Sequence, residues 1–276
     1  VTQVAPKSSR KVCFGAWFGR DYSDNSKYLF LAASRSDDAD AIWITKSWPL
    51  LAELRAQGVD AYHAYSFRGM YHQVSSRTLV CCVSSRDLAP CAVGVRTRLV
   101  QLGHGLPMKK IGFDVRMGAF DSLKNQIRRR TIDAYDYVVS PAPFFDGFLR
   151  SAFKVPADSI VRSPFPRCDG LDQADIAVAE RRSSLGVPEG DLLFAYLPTH
   201  RDEGKSTVAI EKVLADLESL NPLLAELGVT VVVKPHFYDL ELARDWSTSG
   251  RVRLLLDRVD VYEMLSAADA LITDYS

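Results

Sequence analysis

Apolar, strand-like runs and amphipathic segments alternate along almost all of this 276-residue chain. Strands are expected at Lys11 to Phe18, Ala41 to Thr45, Ala61 to Tyr65, Thr78 to Val83, Arg98 to Leu102, Tyr137 to Ser140 and Ile160 to Arg162. Between them, Asp24-Asn25-Ser26 supplies cap chemistry for a helix over Lys27 to Ala33. Trp48 to Gln57 forms a helix stopped by Gly58, a short helical piece precedes Thr78, and Leu123, Ile127 and Ala134 share one helical stripe. The turn-rich Ser163-Pro164-Phe165-Pro166-Arg167 and the nearby Gly170 then break the pattern. A second series follows, with helices at Ala174 to Leu185, within Thr207 to Leu227, and at Val261 to Ala268 behind Asp260. Its strands are Leu192 to Leu197, Val229 to Lys234, Val252 to Leu256 and Ala270 to Thr273. Such alternation demands parallel sheets with right-handed crossovers. The fold class is therefore α/β, as two Rossmann-like units over 1–165 and 166–276 with a cleft between them. A doubly wound sheet normally continues with a helix after its last strand, so the second unit reads as incomplete.

Composition narrows the classes. The apolar fraction of 47% is that of a globular protein, and no apolar run approaches the roughly 20 residues that span a bilayer. The start at Val1 has neither a charged n-region nor an apolar h-region, which argues against export. Cys13, Cys81, Cys82, Cys91 and Cys168 show no paired metal or redox spacing, so they read as small hydrophobes in a reducing cytosol. No metal site is expected. Formal charge is zero, yet nine basic residues face two acidic ones between Arg96 and Arg130, a local excess of +7. A field of that sign attracts polyanions or anionic headgroups. For Arg128-Arg129-Arg130 alone, a solvated helix face explains the charge equally well.

In an open α/β sheet the ligand crevice lies at the carboxyl ends of the strands. Three of the five histidines follow strand-like runs there: His104 in Gln101-Leu102-Gly103-His104-Gly105, His200 in Pro198-Thr199-His200-Arg201-Asp202, and His236 in Lys234-Pro235-His236. Imidazole is the side chain best suited to proton transfer near neutrality. Glycine-rich dinucleotide and P-loop patterns are absent, as are zinc-protease and calcium-loop patterns. Cations with backbone and hydroxyl donors at strand ends suit a diphosphate, with a histidine opposite to take a proton from an attacking hydroxyl. Taken alone, each histidine reads as a satisfied turn or surface residue, and Arg201 as a surface pair with Asp202. Asp24 and Asn25 read as a helix cap without chemistry, and Trp17, Phe18, Trp43 and Trp48 as core.

Five segments together carry a resemblance. The stretch from Gln101 to Asp114 closely resembles the Q-x-x-H-G-x-P-x-K-x-x-G-x-D segment of the CDP-glycerol glycerophosphotransferase family, which builds teichoic acids and related capsular polymers. Tyr22 to Tyr28 resembles its Y-S-D-N-x-K, Pro198 to Asp202 its P-T-x-R-D, Lys234-Pro235-His236 its x-P-H, and Leu271 to Ser276 its L-I-T-D-Y-S-S. Gly103, His200 and Phe237 depart from the usual pattern. The resemblance implies a GT-B architecture, with an acceptor side in the first domain and the donor site in the second. It implies attack of an acceptor hydroxyl on the β-phosphorus of CDP-glycerol, releasing CMP, with no cofactor and no essential metal. His104 would be the general base. His236, Arg201 and Lys234 would hold the diphosphate, while Thr199, Thr273, Asp274 and Ser276 line the donor pocket. Gly105, Lys109 and Lys110 would meet a lipid-linked polyanionic acceptor at the cytoplasmic face of the membrane, with peripheral contact and no nucleic acid. The competing readings are a related transferase using CDP-ribitol or a nucleotide sugar, and a truncated, non-catalytic polymer-binding chain.

Overall fold

The structure is a computed structural model. It describes residues 6–94, 96–107, 109–115, 135–172, 175–198, 205–235, 239, 243, 246, 248–256 and 259–273. The chain divides into two compact units, Val1–Asp169 and Gly170–Ser276. The turn-rich Ser163 to Arg167 belongs to the first, because Phe165 packs into its core and Arg167 bonds to its first helix.

Strands in the first unit are β1 (Ser8–Phe14), β2 (Asp40–Thr45), β3 (Ala61–His63), β4 (Ser76–Cys81), β5 (Arg98–Gln101), β6 (Tyr137–Ser140) and β7 (Ile160–Arg162). They form one parallel sheet in the order β3-β2-β1-β4-β5-β6-β7. Apolar runs become strands of this kind because a parallel sheet is covered on both faces. Successive residues therefore enter opposite cores. Cys13, Ile42 and Leu79 join one cluster, while their neighbours Phe14, Trp43 and Val80 join the other. The covering helices are α1 (Asp24–Ser34), α2 (Trp48–Ala56), α3 (Phe67–Ser75) and α4 (Pro143–Phe153). Ser47 caps α2 by accepting from the Leu50 N–H, and Ser66 caps α3 by accepting from the Gly69 N–H.

Several elements differ from expectation. Strand β1 stops at Phe14 rather than Phe18, because Trp17 and Phe18 take positive φ angles of 46° and 59° in a tight 3-10 turn. Helix α1 starts at Asp24, with Ser23 at the N-cap and no side-chain cap bond. Helix α4 was not anticipated. Trp48 lies outside the core, exposed and stacked on His63. Cys13, Cys81 and Cys82 are buried, but Cys91 and Cys168 are exposed, and all five are free thiols. The stripe of Leu123, Ile127 and Ala134, together with Arg128 to Arg130, lies outside the described residues.

In the second unit β8 (Leu192–Leu197), β9 (Val229–Val233), β10 (Val252–Leu254) and β11 (Ala270–Thr273) form a parallel sheet in the order β10-β9-β8-β11. The second strand, Val-Thr-Val-Val-Val, is buried along its whole length. Helices α5 (Asp175–Ser184), α6 (Lys205–Ser219), α7 (Asn221–Glu226) and α8 (Val261–Leu265) belong to this unit. The Asp260 carboxylate caps α8 by accepting from the Tyr262 N–H. At the amino edge of the sheet, Asp269 accepts from Arg182 of α5 at 2.7 Å and from the Leu193 N–H at 2.7 Å. No described helix is long and apolar enough to cross a membrane.

Candidate functional site

A doubly wound sheet opens its crevice where the strand order reverses. In the first unit that point lies between β1 and β4, and the loops after β1, β4 and β5 share its carboxyl edge. His104 stands in the loop after β5. Gln101, fully buried at the end of β5, donates to Val83 O at 3.0 Å and to the Tyr135 hydroxyl at 3.2 Å, and it accepts from the Gly103 N–H. Gly103 turns the chain at φ +75°, a conformation that glycine adopts without steric cost. The loop's far end docks where Gly112, at φ +56°, approaches α4 so closely that an added Cβ would lie 2.1 Å from the Ala152 carbonyl oxygen.

The Asn25 amide is fully buried and works in both directions. Its Nδ2 donates to Gly103 O at 2.8 Å, and its Oδ1 accepts from the Arg167 N–H at 3.1 Å. The Arg167 guanidinium donates to His104 O at 2.8 Å and pairs with the Asp24 carboxylate at 3.0 Å. Burial pushes the Asp24 carboxyl up, opposed by the Arg167 charge, the Asn25 N–H and the His104 ring. Asp24 itself sits at a positive φ of 61°. Non-glycine residues in that conformation cluster at functional sites, and Trp17, Phe18 and Asp24 all lie at this edge. Asp24 and Asn25 are thus not a helix cap but the clamp under the His104 backbone.

The His104 ring is exposed, edge-on to Trp17 with centroids 5.5 Å apart, and its Nδ1 lies 3.4 Å from Cys82 O. A carbonyl only accepts, so this contact places the ring proton on Nδ1 and leaves Nε2 the acceptor, the arrangement a general base needs. Asp87 braces the neighbouring loops, accepting from the Phe18, Cys82 and Val83 N–H groups at 2.8, 2.9 and 2.8 Å. Burial pushes its carboxyl up, while these N–H donors work against that. Beneath the His104 loop lies a cavity of about 40 Å3 lined by Gln101, Val139, Leu149 and Phe165. Gly105, Lys109 and Lys110 lie on the same loop, with both lysines exposed and open space around Gly105.

In the second unit the strand order reverses between β8 and β11. Thr273, at the end of β11, donates its hydroxyl to Leu197 O of β8 at 3.1 Å. Lys234 follows β9, with its N–H bonded to Tyr196 O at 3.0 Å. The carboxyl ends of three adjacent strands thus lead into Lys234-Pro235-His236, Pro198-Thr199 and Thr273-Asp274. Thr199, Arg201, His236, Asp274 and Ser276 themselves, like His200, lie outside the described residues. Among the described residues, no three His, Cys, Asp or Glu side chains are grouped to hold a metal ion.

The family model for CDP-glycerol:poly(glycerophosphate) glycerophosphotransferase matches residues 1–276. The chain belongs to this family. It is 26% identical to a teichoic acid glycerol-phosphate transferase of Staphylococcus aureus, over 96% of this chain and 69% of the relative. It is 27% identical to a teichoic acid poly(glycerol phosphate) polymerase of Staphylococcus epidermidis, over 99% of this chain but only 38% of that protein. The fold is similar to the wall teichoic acid polymerase TagF, with a TM-score of 0.78 and 23% identity, over 98% of this chain and 67% of that one. The family fold is thus GT-B-like α/β with parallel sheets. The chain spans between about two fifths and two thirds of the length of these relatives.

Proposed function

We propose that this chain is a glycerophosphotransferase, moving glycerol phosphate from CDP-glycerol to a hydroxyl of a lipid-linked or polymeric glycerophosphate acceptor. The observation that carries the reading is the His104 cradle, a histidine with an acceptor Nε2 whose backbone is held by Asn25 and Arg167 at the carboxyl edge of a family member's first sheet. In this reading Nε2 takes the acceptor's hydroxyl proton as its oxygen attacks the β-phosphorus. The bond from that phosphorus to the bridging oxygen breaks, CMP leaves with the electron pair, and a phosphodiester forms. The first unit serves the acceptor and the second the donor. Lys234, Arg201 and His236 grip the diphosphate, and Thr199, Thr273, Asp274 and Ser276 complete that pocket. These cations offset the leaving group's charge, so turnover persists in EDTA. Lys109, Lys110 and the basic stretch that follows meet the polyanionic acceptor and the cytoplasmic membrane surface.

The test is product analysis after incubation with CDP-glycerol and a glycerophosphate-terminated acceptor. Equal amounts of CMP and newly linked glycerol phosphate are expected. Release of a nucleoside diphosphate, or consumption of a nucleotide sugar instead, contradicts the reading.

A further inference from the structure

A second feature of the first unit's carboxyl edge has no part in the cradle. Beyond His104, rings and cations succeed one another across the loops of β4, β1, β2 and β3. Trp17 meets the His104 ring, and the next residue, Phe18, lies under the Arg86 guanidinium at 5.4 Å. Lys46 donates to Arg86 O at 2.6 Å and sits over the Tyr65 ring at 5.6 Å. His63 links Lys46 O to the Tyr65 N–H through its two ring nitrogens and stacks on Trp48 at 4.2 Å, 5° from coplanar. Apolar rings are normally buried, yet Trp48, Tyr65 and Phe67 are 62%, 55% and 90% exposed here.

Charge on the strip is unbalanced. Lys46, Arg86 and Arg20 form no ion pair among the described residues, and the one carboxylate acting on Lys46, Asp87, is held by backbone N–H groups and still attracts it. Lys46 is pushed down by burial first, with Arg86 and Arg20 adding repulsion against the pull of Asp87. Three cations against one buried carboxylate leave an excess of positive charge that a bound anion would offset. Four inter-strand steps of about 4.8 Å make the strip roughly 19 Å long, the reach of an extended chain rather than of one phosphate.

We infer that this strip is a track for a polyol-phosphate chain, with Arg20, Lys46 and Arg86 on its phosphates and Trp48, Tyr65 and Phe67 on its carbon backbone, leading its end to His104. The assignment rests on the proposed function for its direction, but its test does not require turnover. Anisotropy of a labelled glycerol phosphate hexamer is measured without CDP-glycerol. Arg20→Ala/Arg86→Ala removes two exposed guanidinium groups and no side-chain hydrogen bond of the described fold. It should weaken the hexamer about tenfold or more, the worth of a charge-assisted contact. Trp48→Ala/Tyr65→Ala should weaken the hexamer severalfold while leaving inorganic tripolyphosphate, which has charge without carbon, unchanged. Unaltered hexamer binding in both variants overturns the track. So does loss of binding to phosphatidylglycerol vesicles with hexamer binding intact, which assigns the surface to lipid. If the wild-type chain binds the hexamer through these residues yet releases no CMP, the track stands and the transferase reading falls.

Discussion

The Asp24 side chain is 6% exposed beneath the His104 loop, and the Arg167 guanidinium that pairs with it is 17% exposed. Removing one partner of so buried a pair typically costs about 3–5 kcal/mol, because the other charge is left uncompensated. Arg167→Leu should therefore destabilise the protein by about that amount at neutral pH. The sign with pH follows from the raised Asp24 carboxyl. A group that binds its proton more tightly when folded favours the folded state at low pH and loses that advantage as pH rises through its folded value. The Arg167→Leu deficit should thus shrink as pH falls towards about 4, the ordinary Asp range, and Asp24→Asn should recover part of it at pH 7. Melting curves across pH for the single and double variants check both statements. Asn25→Asp is a second probe, since a carboxylate cannot donate to Gly103 O. A displaced base lowers kcat, by about 10²-fold for a shift near 1 Å, with KM for the donor unchanged. Equal losses in kcat and donor affinity contradict a positioning role. The place of His104 in the loop after a strand was legible from its motif, whereas this clamp was not. Asp24 and Asn25 carry the same residue types as a helix cap, and their partner lies 143 positions away, beyond any local pattern.

At the scale of elements, β6, β8 and β11 were legible to the residue, since each is a short apolar run bounded by polar or turn residues. Strand β1 was read too long because Trp17 and Phe18 are apolar, and hydrophobicity carries no sign of a positive φ. Helix α4 was missed for a related reason. Its Pro-Phe-Phe-Asp-Gly-Phe start is poor in helix formers, and the exposed Phe144 and Phe148 mask the stripe of Phe145, Leu149 and Phe153 that packs on the sheet. That helix is what the His104 loop leans on. Gly112→Ala should push the loop off α4, costing about 1–3 kcal/mol from overpacking and lowering turnover with it. Unchanged melting and kinetics count against the docking. In the second unit, the Arg182 guanidinium and the Leu193 N–H hold the Asp269 carboxyl below the usual range, against a smaller opposing effect of burial. A lowered folded value means stability present above about pH 4 and lost as pH falls through it. Asp269→Asn should cost about 1 kcal/mol at pH 7, a partly exposed pair being screened. The difference from wild type should vanish in acid.

For the whole molecule, each sheet repeats one plan, with its first strand beside its second and fourth, and His104, Lys234 and Thr273 stand at the carboxyl ends of strands β5, β9 and β11. Strand–helix alternation made the parallel sheets legible, and motif order made the family legible. The aromatic and cationic strip beyond His104 was not, because its rings come from three separate loops and Trp48 reads as core by composition. The central claim is that His104 takes the acceptor's proton during transfer to phosphorus. It is tested most directly by single-turnover CMP release at saturating CDP-glycerol and acceptor, comparing His104→Ala with wild type. The rate should fall by about 10²–10⁴ while CDP-glycerol binding and the melting temperature stay as they are, and a variant that releases CMP at the wild-type rate contradicts the account.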